Sequence, residues 1–335
     1  MNNHSDTPAA TNHPSFEQYR DLPVCVTGGA GFIGSHIVAA LVDLGARVRV
    51  LDNFVQGRRE NLALYHDRIE LIEGDLRDAA VCERAIGDAA VVLHLAALGS
   101  VPQSVERPAE YHEVNATGTL QLLETARRRG VRRVVFSASS SAYGNLPSLP
   151  KVESMCPVPE SPYAVAKLAG EHWITAYALC YGLEGVSLRY FNIFGPRQRP
   201  DSPYAAVIPA FASALLEGRK PVIYGDGEQT RDFTHVSNVV RANLLAGVSA
   251  TPLKGEVLNI GCGTRYSVLQ LLQTMADLLG APADAEHRPT RAGEVRDSQA
   301  SIEAARTLIG YEPLVSFEEG LADTMRWFRE QHQPA

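Results

Sequence analysis

Pro23-Val24-Cys25-Val26-Thr27-Gly28-Gly29-Ala30-Gly31-Phe32-Ile33-Gly34 is the stretch that decides the fold of this chain. A short β-branched run passes directly into a glycine-rich turn and then into apolar residues at helical spacing, Phe32 to Leu44. Glycines at 28, 31 and 34 suit, in turn, a tight turn, close backbone approach to a pyrophosphate, and close packing of helix on strand. A helix starting here would aim free amides and the positive end of its dipole at a bound phosphate. A glycine-rich turn without a ligand is the bland alternative. The position of the string between strand and helix, and Asp52 ending the next apolar run, favour a dinucleotide site.

Outward from this string, short apolar runs alternate with helical patterns: Val24 to Thr27, Arg47 to Leu51, Ile69 to Ile72, Val91 to Leu95, Val134 to Ser137 and Val186 to Arg189. The alternation predicts an α/β protein with a Rossmann-type, doubly wound parallel sheet and ligands along the strands' C-terminal edge. Pro108 to Arg129 reads as a crossover helix ended by Gly130. After Asn192 the texture changes: a loop-like stretch Gly195 to Pro203, a helical segment near Ala205 to Glu217, and the turn Gly225-Asp226-Gly227. This predicts a smaller C-terminal α/β substrate domain. The expected division is a flexible leader over 1–20 and a cofactor domain over 21–190 with a returning segment at about 233–262. The substrate domain takes 191–232 and 263–335, with Glu256 to Ile260 as a returning strand and Phe317 to Arg329 as a closing helix.

With 335 residues, 45 % of them hydrophobic, the chain can bury a full core. Its formal net charge of -7 argues against a broad basic surface for nucleic acid or acidic membranes, so a phosphate ligand must be met by local cations. No apolar run approaches the ~20 residues of a membrane helix. Cys25, Cys82, Cys156, Cys180 and Cys262 form no C-x-x-C pair, which speaks against a disulfide framework or zinc site and for a reducing cytoplasm. The ten histidines show no H-E-x-x-H spacing, so no metal is expected, and His94 reads as a satisfied core residue.

Asp52 bears on cofactor choice, since its carboxylate accepts from ribose hydroxyls and repels a 2'-phosphate; NAD is favoured over NADP. Arg58 and Arg59 are either a solvated helix start or phosphate ligands. Asp75 is placed to meet adenine, or is a plain turn residue. Tyr163-Ala164-Val165-Ala166-Lys167 sets a phenol and an ammonium at i and i+4, on one face of a helix starting near Ser161-Pro162. A nearby ammonium favours phenolate and makes Tyr163 a usable base. Such a pair is also common surface packing; Ser139-Ser140-Ser141 at the end of the fifth strand strengthens the catalytic reading.

Together with Ala142-Tyr143-Gly144, Arg189-Tyr190-Phe191-Asn192 and Thr230-Arg231-Asp232-Phe233, these motifs resemble the extended short-chain dehydrogenases acting on nucleotide sugars, from about Pro23 to Phe328. Within that group Leu98-Gly99-Ser100-Val101-Pro102, Ala205-Ala206-Val207-Ile208-Pro209 and Gly293-Glu294-Val295-Arg296-Asp297-Ser298 are similar to UDP-N-acetylglucosamine 4-epimerases of bacterial polysaccharide pathways. The resemblance implies NAD-dependent epimerisation through a 4-keto sugar, with Tyr163, Lys167 and Ser139 catalytic. It implies cofactor contacts from Gly28, Gly31, Phe32, Ile33, Gly34, Asp52, Asn53, Asp75, Leu76, Ala96, Asn115, Tyr163, Lys167 and Tyr190. UDP-sugar contacts are implied for Ser100, Ser140, Ser141, Asn192, Val207, Arg231, Arg291, Glu294 and Ser298. Arg231 and Arg291 stand where relatives hold the diphosphate. Glu294 replaces the usual Asp at the uridine ribose. Ser298 stands at the wall beside the sugar's C2 substituent, where a serine leaves room for an N-acetyl group; an ordinary small loop residue is the alternative. Relatives also pair through two helices, here Pro108 to Arg129 and Ser161 to Cys180, implying a homodimer.

Rival readings share the fold. A 4,6-dehydratase carries Asp-Glu where this chain has Ser140 and Ser141, and a UDP-glucuronate decarboxylase has a Glu in the same run. A UDP-uronic acid 4-epimerase differs only at C6 of the sugar. A non-catalytic NAD sensor generally lacks the Tyr/Lys pair that this chain keeps. A net dehydrogenase would consume NAD stoichiometrically.

Overall fold

Val, Ile and Leu dominate seven segments that lie side by side as one parallel sheet, its inner strands buried on both faces as such sheets are. The computed structural model of the chain describes residues 10–199, 206–290 and 295–332. Its strands are β1 (Pro23–Thr27), β2 (Arg47–Asp52), β3 (Ile69–Glu73), β4 (Val91–His94), β5 (Arg133–Ser139), β6 (Glu184–Tyr190), β7 (Ile193–Phe194), β8 (Val222–Tyr224), β9 (Thr230–Arg231), β10 (Thr234–His235), β11 (Lys254–Ile260), β12 (Tyr266–Ser267) and β13 (Glu286–Arg288). The central sheet has the order β11-β6-β5-β4-β1-β2-β3, the doubly wound arrangement, with its reversal between β1 and β4. The returning strand is β11, two residues longer at its start than the apolar pattern Glu256 to Ile260.

The helices are α1 (Phe32–Asp43), α2 (Ala79–Ile86), α3 (Val101–Glu106), α4 (Pro108–His112), α5 (Gly118–Arg128), α6 (Pro162–Tyr181), α7 (Val207–Leu216), α8 (Val236–Val248), α9 (Val268–Leu279), α10 (Glu303–Ile309) and α11 (Phe317–His332). One apolar cluster joins the sheet to α1, α8 and α10; a second covers the other face with α2, α5 and α6. A third core lies outside the sheet, built by Phe194, Phe211, Phe233, Leu271, Met275, Phe317, Leu321 and Phe328.

Two expectations are corrected. Residues 10–20, assigned to a flexible leader, instead carry a 3-10 helix, Pro14–Tyr19, capped by His13. Phe16 and Tyr19 are fully buried, and the Tyr19 hydroxyl donates to the Leu244 carbonyl in α8 at 2.8 Å. Apolar anchors spaced three apart were too few to stand out from a polar context. The crossover helix Pro108 to Arg129 is also not uniform: a π-turn, Glu113–Thr117, separates α4 from α5. Such turns cluster at functional sites, and this one carries Asn115.

Candidate active site

Gly28 ends β1 at φ +69, a left-handed backbone, and a Cβ there would lie 2.7 Å from the Ala96 amide nitrogen. A Cβ on Gly34 would lie 2.1 Å from the Gly28 carbonyl oxygen. The turn and α1 therefore approach more closely than any side chain permits. Among the described residues, a Cβ on Gly31 would meet only the Gly28 carbonyl within 4 Å, so that corner opens outward. Gly31 is the N-cap of α1 and supplies no side-chain cap, which leaves the amides around Phe32 and Ile33 for another acceptor. A pyrophosphate meets that need, and the residues present fit a dinucleotide.

Asp52, 7 % exposed at the end of β2, accepts from the Ala30 amide at 2.9 Å and the Phe54 amide at 2.8 Å. Burial raises its pKa and these amides oppose the rise. Two oxygens with one donor each keep lone pairs for further donors. Arg59 pairs with Glu73 at 2.5 Å on the surface and covers the Phe54 ring at 4.1 Å. Asp75 is gripped by Arg77 through two bonds of 2.8 and 2.9 Å and accepts from Asn53 at 3.2 Å. The Arg77 guanidinium lowers its pKa to about 2. Leu76 is buried beside it.

His94 is the satisfied core residue expected of it. Its ring nitrogens lie 2.7 Å from Thr27 Oγ1 and 3.0 Å from Thr119 Oγ1, and burial lowers its pKa to about 3. Thr27 Oγ1 also takes the Ala96 amide at 3.2 Å, so one neutral imidazole fixes the edges of β1 and β4. Asn115 is 1 % exposed and binds the Leu98 backbone through both amide atoms, at 2.8 and 3.0 Å, which shapes the loop after β4. Tyr190 likewise ties its hydroxyl to Asn243.

Tyr163 and Lys167 sit in the first turns of α6, whose N-cap Ser161 accepts from the Ala164 amide and whose N1 is Pro162. Gly170 lets the helix lie close on β5: a Cβ there would be 2.4 Å from the Phe136 ring. Tyr163 is partly buried, and Ser139 at the end of β5 is near enough to favour its ionised form. Ser139 in turn accepts from the Ser141 hydroxyl at 2.9 Å and its amide at 3.2 Å. Burial raises the Tyr163 pKa, partly offset by Ser139. The Lys167 ammonium points inward, donating to the Ser137 carbonyl at 2.8 Å and lying 5.0 Å from the centre of the Phe136 ring. Burial brings its pKa down to about 8. Burial is the largest influence on the phenol in this geometry, and the ammonium is held on the strand carbonyl.

On the opposite rim, Asn192 follows β6 at φ 38, a left-handed backbone that asparagine tolerates better than most side chains. Its amide donates to the Ser298 hydroxyl at 2.9 Å and the Asp232 carbonyl at 3.2 Å. Ser298, 7 % exposed, is thus tied to Asn192. Arg231 donates to the carbonyls of Thr230 and Arg296 at 3.0 and 2.7 Å, which anchors its guanidinium beside this wall. Ser100 caps α3 by accepting from the Gln103 amide, and its own amide donates to Tyr111. Val207 opens α7 and is half-buried; Ser140 is half-buried beside Ser139. Arg291 and Glu294 lie outside the described residues. No cluster of metal-ligating side chains occurs among the described residues.

Two structural determinants escaped sequence reasoning. Asp232 is fully buried and accepts from the amides of Cys262, Gly263 and Ala300 at 2.8, 3.0 and 3.0 Å, binding three chain segments. Burial raises its pKa to about 6. Glu171 forms a buried fork with Arg189. Its signal was present: Tyr163, Lys167 and Glu171 stand at i, i+4 and i+8 on one helix face.

No helix is long and apolar enough to cross a membrane among the described residues. The model of the NAD dependent epimerase/dehydratase family matches residues 24–261. A UDP-glucose 4-epimerase of Mycolicibacterium smegmatis is 40 % identical over 92 % of this chain and 99 % of its own length. A UDP-N-acetylglucosamine 4-epimerase of Methanobrevibacter ruminantium, solved with UDP-N-acetylmuramic acid, is 42 % identical with a TM-score of 0.89, covering 93 % of this chain and 99 % of that one. A UDP-glucose 4-epimerase of Thermus thermophilus, solved with NAD, is 38 % identical with a TM-score of 0.84, covering 92 % and 99 %. With its glycine turn, Tyr163/Lys167 pair and seven-stranded sheet in place, the chain belongs to the NAD-dependent epimerase/dehydratase family.

Proposed function

We propose that this enzyme is a 4-epimerase of UDP-sugars that favours N-acetylated hexosamines, interconverting UDP-N-acetylglucosamine and UDP-N-acetylgalactosamine. The observation that carries the reading is the convergence of Ser139, at the end of β5, with Tyr163 and Lys167 on α6, whose ammonium is seated on the Ser137 carbonyl of the same strand. Bound NAD supplies the acceptor and later the donor of hydride. Tyr163 takes the proton from the sugar 4-hydroxyl and returns it after the 4-keto sugar has turned over. Ser139 holds that oxygen while Lys167 stabilises the phenolate. The turn at Gly28, Gly31 and Gly34 binds the pyrophosphate and Asp52 the ribose. Arg231 and Arg291 meet the sugar diphosphate as guanidinium forks suit phosphate oxygens.

The preference for an acetylated sugar rests on Ser298, a small side chain whose hydroxyl is held by Asn192. A homodimer is part of this proposal. α6 packs against α3, α4 and α5 yet leaves Val165, Trp173 and Leu179 exposed, and Val105 of α3 is 65 % exposed, as a helical interface requires. The free cysteines suit the cytoplasm.

The test is incubation of purified enzyme with UDP-N-acetylglucosamine and, separately, with UDP-glucose, without added NAD, the 4-epimers being resolved by proton NMR. Conversion of the acetylated sugar at least tenfold faster is the expected result. Equal rates overturn the role of Ser298. Conversion of neither, with NAD supplied, overturns the activity on neutral sugars and directs the assay to UDP-uronic acids, where release of carbon dioxide separates decarboxylation from epimerisation. Light scattering checks the dimer; a monomer at micromolar concentration refutes it.

A further inference from the structure

Glu171 stands one helical step beyond Lys167 on α6 and is 2 % exposed. Arg189 of β6 grips it through a bidentate fork, Nε to Oε1 at 2.9 Å and Nη2 to Oε2 at 2.7 Å. The guanidinium lies 4.6 Å from the centre of the Tyr143 ring, and the Tyr143 hydroxyl donates to Asn259 at 2.7 Å. One guanidinium nitrogen, Nη1, is buried without a partner. A buried ion pair of this kind gives little net stability, because desolving both charges consumes most of their attraction. Its geometry does, however, fix a negative charge on the same helical stripe as the catalytic pair.

Lys167 needs such a charge. Its ammonium is 3 % exposed, with one acceptor, the Ser137 carbonyl, and one ring face, Phe136, both from β5. β4 brings His94, which is neutral. β6 brings Arg189, which stands behind Glu171 and is neutralised by it. α6 itself brings Tyr163 and Glu171, and of these groups only Glu171 carries a negative charge that opposes the burial of Lys167.

We propose that Glu171, clamped by Arg189, is a positioning residue that keeps the Lys167 ammonium charged and seated against the Ser137 carbonyl, so that Tyr163 has a cation behind it. The proposal rests on the assignment of Tyr163 and Lys167 as the proton-handling pair. The Arg189 fork prevents Glu171 from turning toward solvent.

Lys151, Lys167, Lys220 and Lys254 are the lysines of the chain, so side-chain carbon-13 labelling gives four resolvable titrations in the intact protein. Glu171→Gln is expected to lower the Lys167 midpoint by about one pH unit, a tenfold loss of proton affinity. Glu171→Asp, which keeps the charge but withdraws it by one methylene, lowers the midpoint by less than half as much. In turnover, the alkaline limb of kcat moves down by the same interval while KM stays within twofold. A folded Glu171→Gln protein whose Lys167 titrates as in the parent overturns the proposal and leaves Glu171 a packing residue. Should that variant not fold, an unchanged midpoint in Glu171→Asp overturns it equally. The NMR readout needs no sugar: a shifted midpoint in a protein that epimerises nothing supports the role of Glu171 while removing the substrate assignment.

Discussion

The two sides of the site, the proposed cofactor side and the proposed sugar side, are built by different means. Strands β1 to β6 are four to seven residues long, and their regular ladder aligns Thr27, Asp52, His94 and Ser139 along one edge. On the sugar side β7, β9, β10 and β12 are two residues each, and position is set by single polar side chains: Asn192 at a left-handed backbone, Asp232 stapling three amides, Ser298 between them. A ladder tolerates change at many points because its bonds are redundant. A staple does not, since losing one buried partner leaves several donors unsatisfied.

The largest effect is expected at the join of the two sides. Tyr163→Phe removes the proton carrier with little change in packing, and epimerisation should fall by about 10³-fold or more while NAD stays bound; retention of a tenth of the activity would remove Tyr163 from the chemistry. Gly34→Ala places a Cβ 2.1 Å from the Gly28 carbonyl, so overpacking of about 3 kcal/mol is expected, with loss of copurified NAD. Calorimetry and the absorbance of released cofactor check it, and a fully loaded variant would show the turn to be less rigid than its contacts indicate.

Acid should separate the two halves. Burial lowers His36 and His94 on the cofactor side to about 3, and His235 on the sugar side to about 4, from 6.5. A depressed histidine contributes stability above pH 6.5 and loses it as pH falls toward the folded value, about 2 kcal/mol for each at pH 5. Asp232 runs the other way: its pKa is raised from 3.8 to about 6, so stability lost above 6 returns as pH falls. The sugar side is therefore partly compensated. Trp173 lies in α6 and Trp327 in α11, so Trp173→Phe and Trp327→Phe each leave one reporter. The Trp173 signal should change at higher pH than the Trp327 signal; coincident transitions would mean that the halves unfold as one. The smallest effect is at the sugar wall, where Ser298→Tyr should shift the ratio of acetylated to plain hexose turnover roughly tenfold toward the plain sugar.

The same contrast explains what could be read before the structure. The period of valines and isoleucines gave strands within two residues of their observed ends, and glycine spacing located the tight turn between β1 and α1. Those signals are local, and packing agrees with them. Asp232 and Glu171 were missed as determinants because their partners lie 30, 31 and 68 residues away in one case and 18 in the other. The buried segment near Tyr19 was missed because a single turn of helix has no period to read. The hold of Asn115 on the Leu98 backbone was likewise not legible, since only coordinates reveal which groups its amide meets.

The path of the chain carries a consequence for how such an enzyme diversifies. After β6 it builds part of the outer core, re-enters through the wholly buried α8 and strand β11, and leaves again for α9 and α11. The sugar-facing half is thus spread over separate stretches of the gene. It cannot be exchanged as a cassette by one crossover, and neither half can be expressed by cutting once. Change on that side is therefore expected to be local, within a scaffold inherited whole.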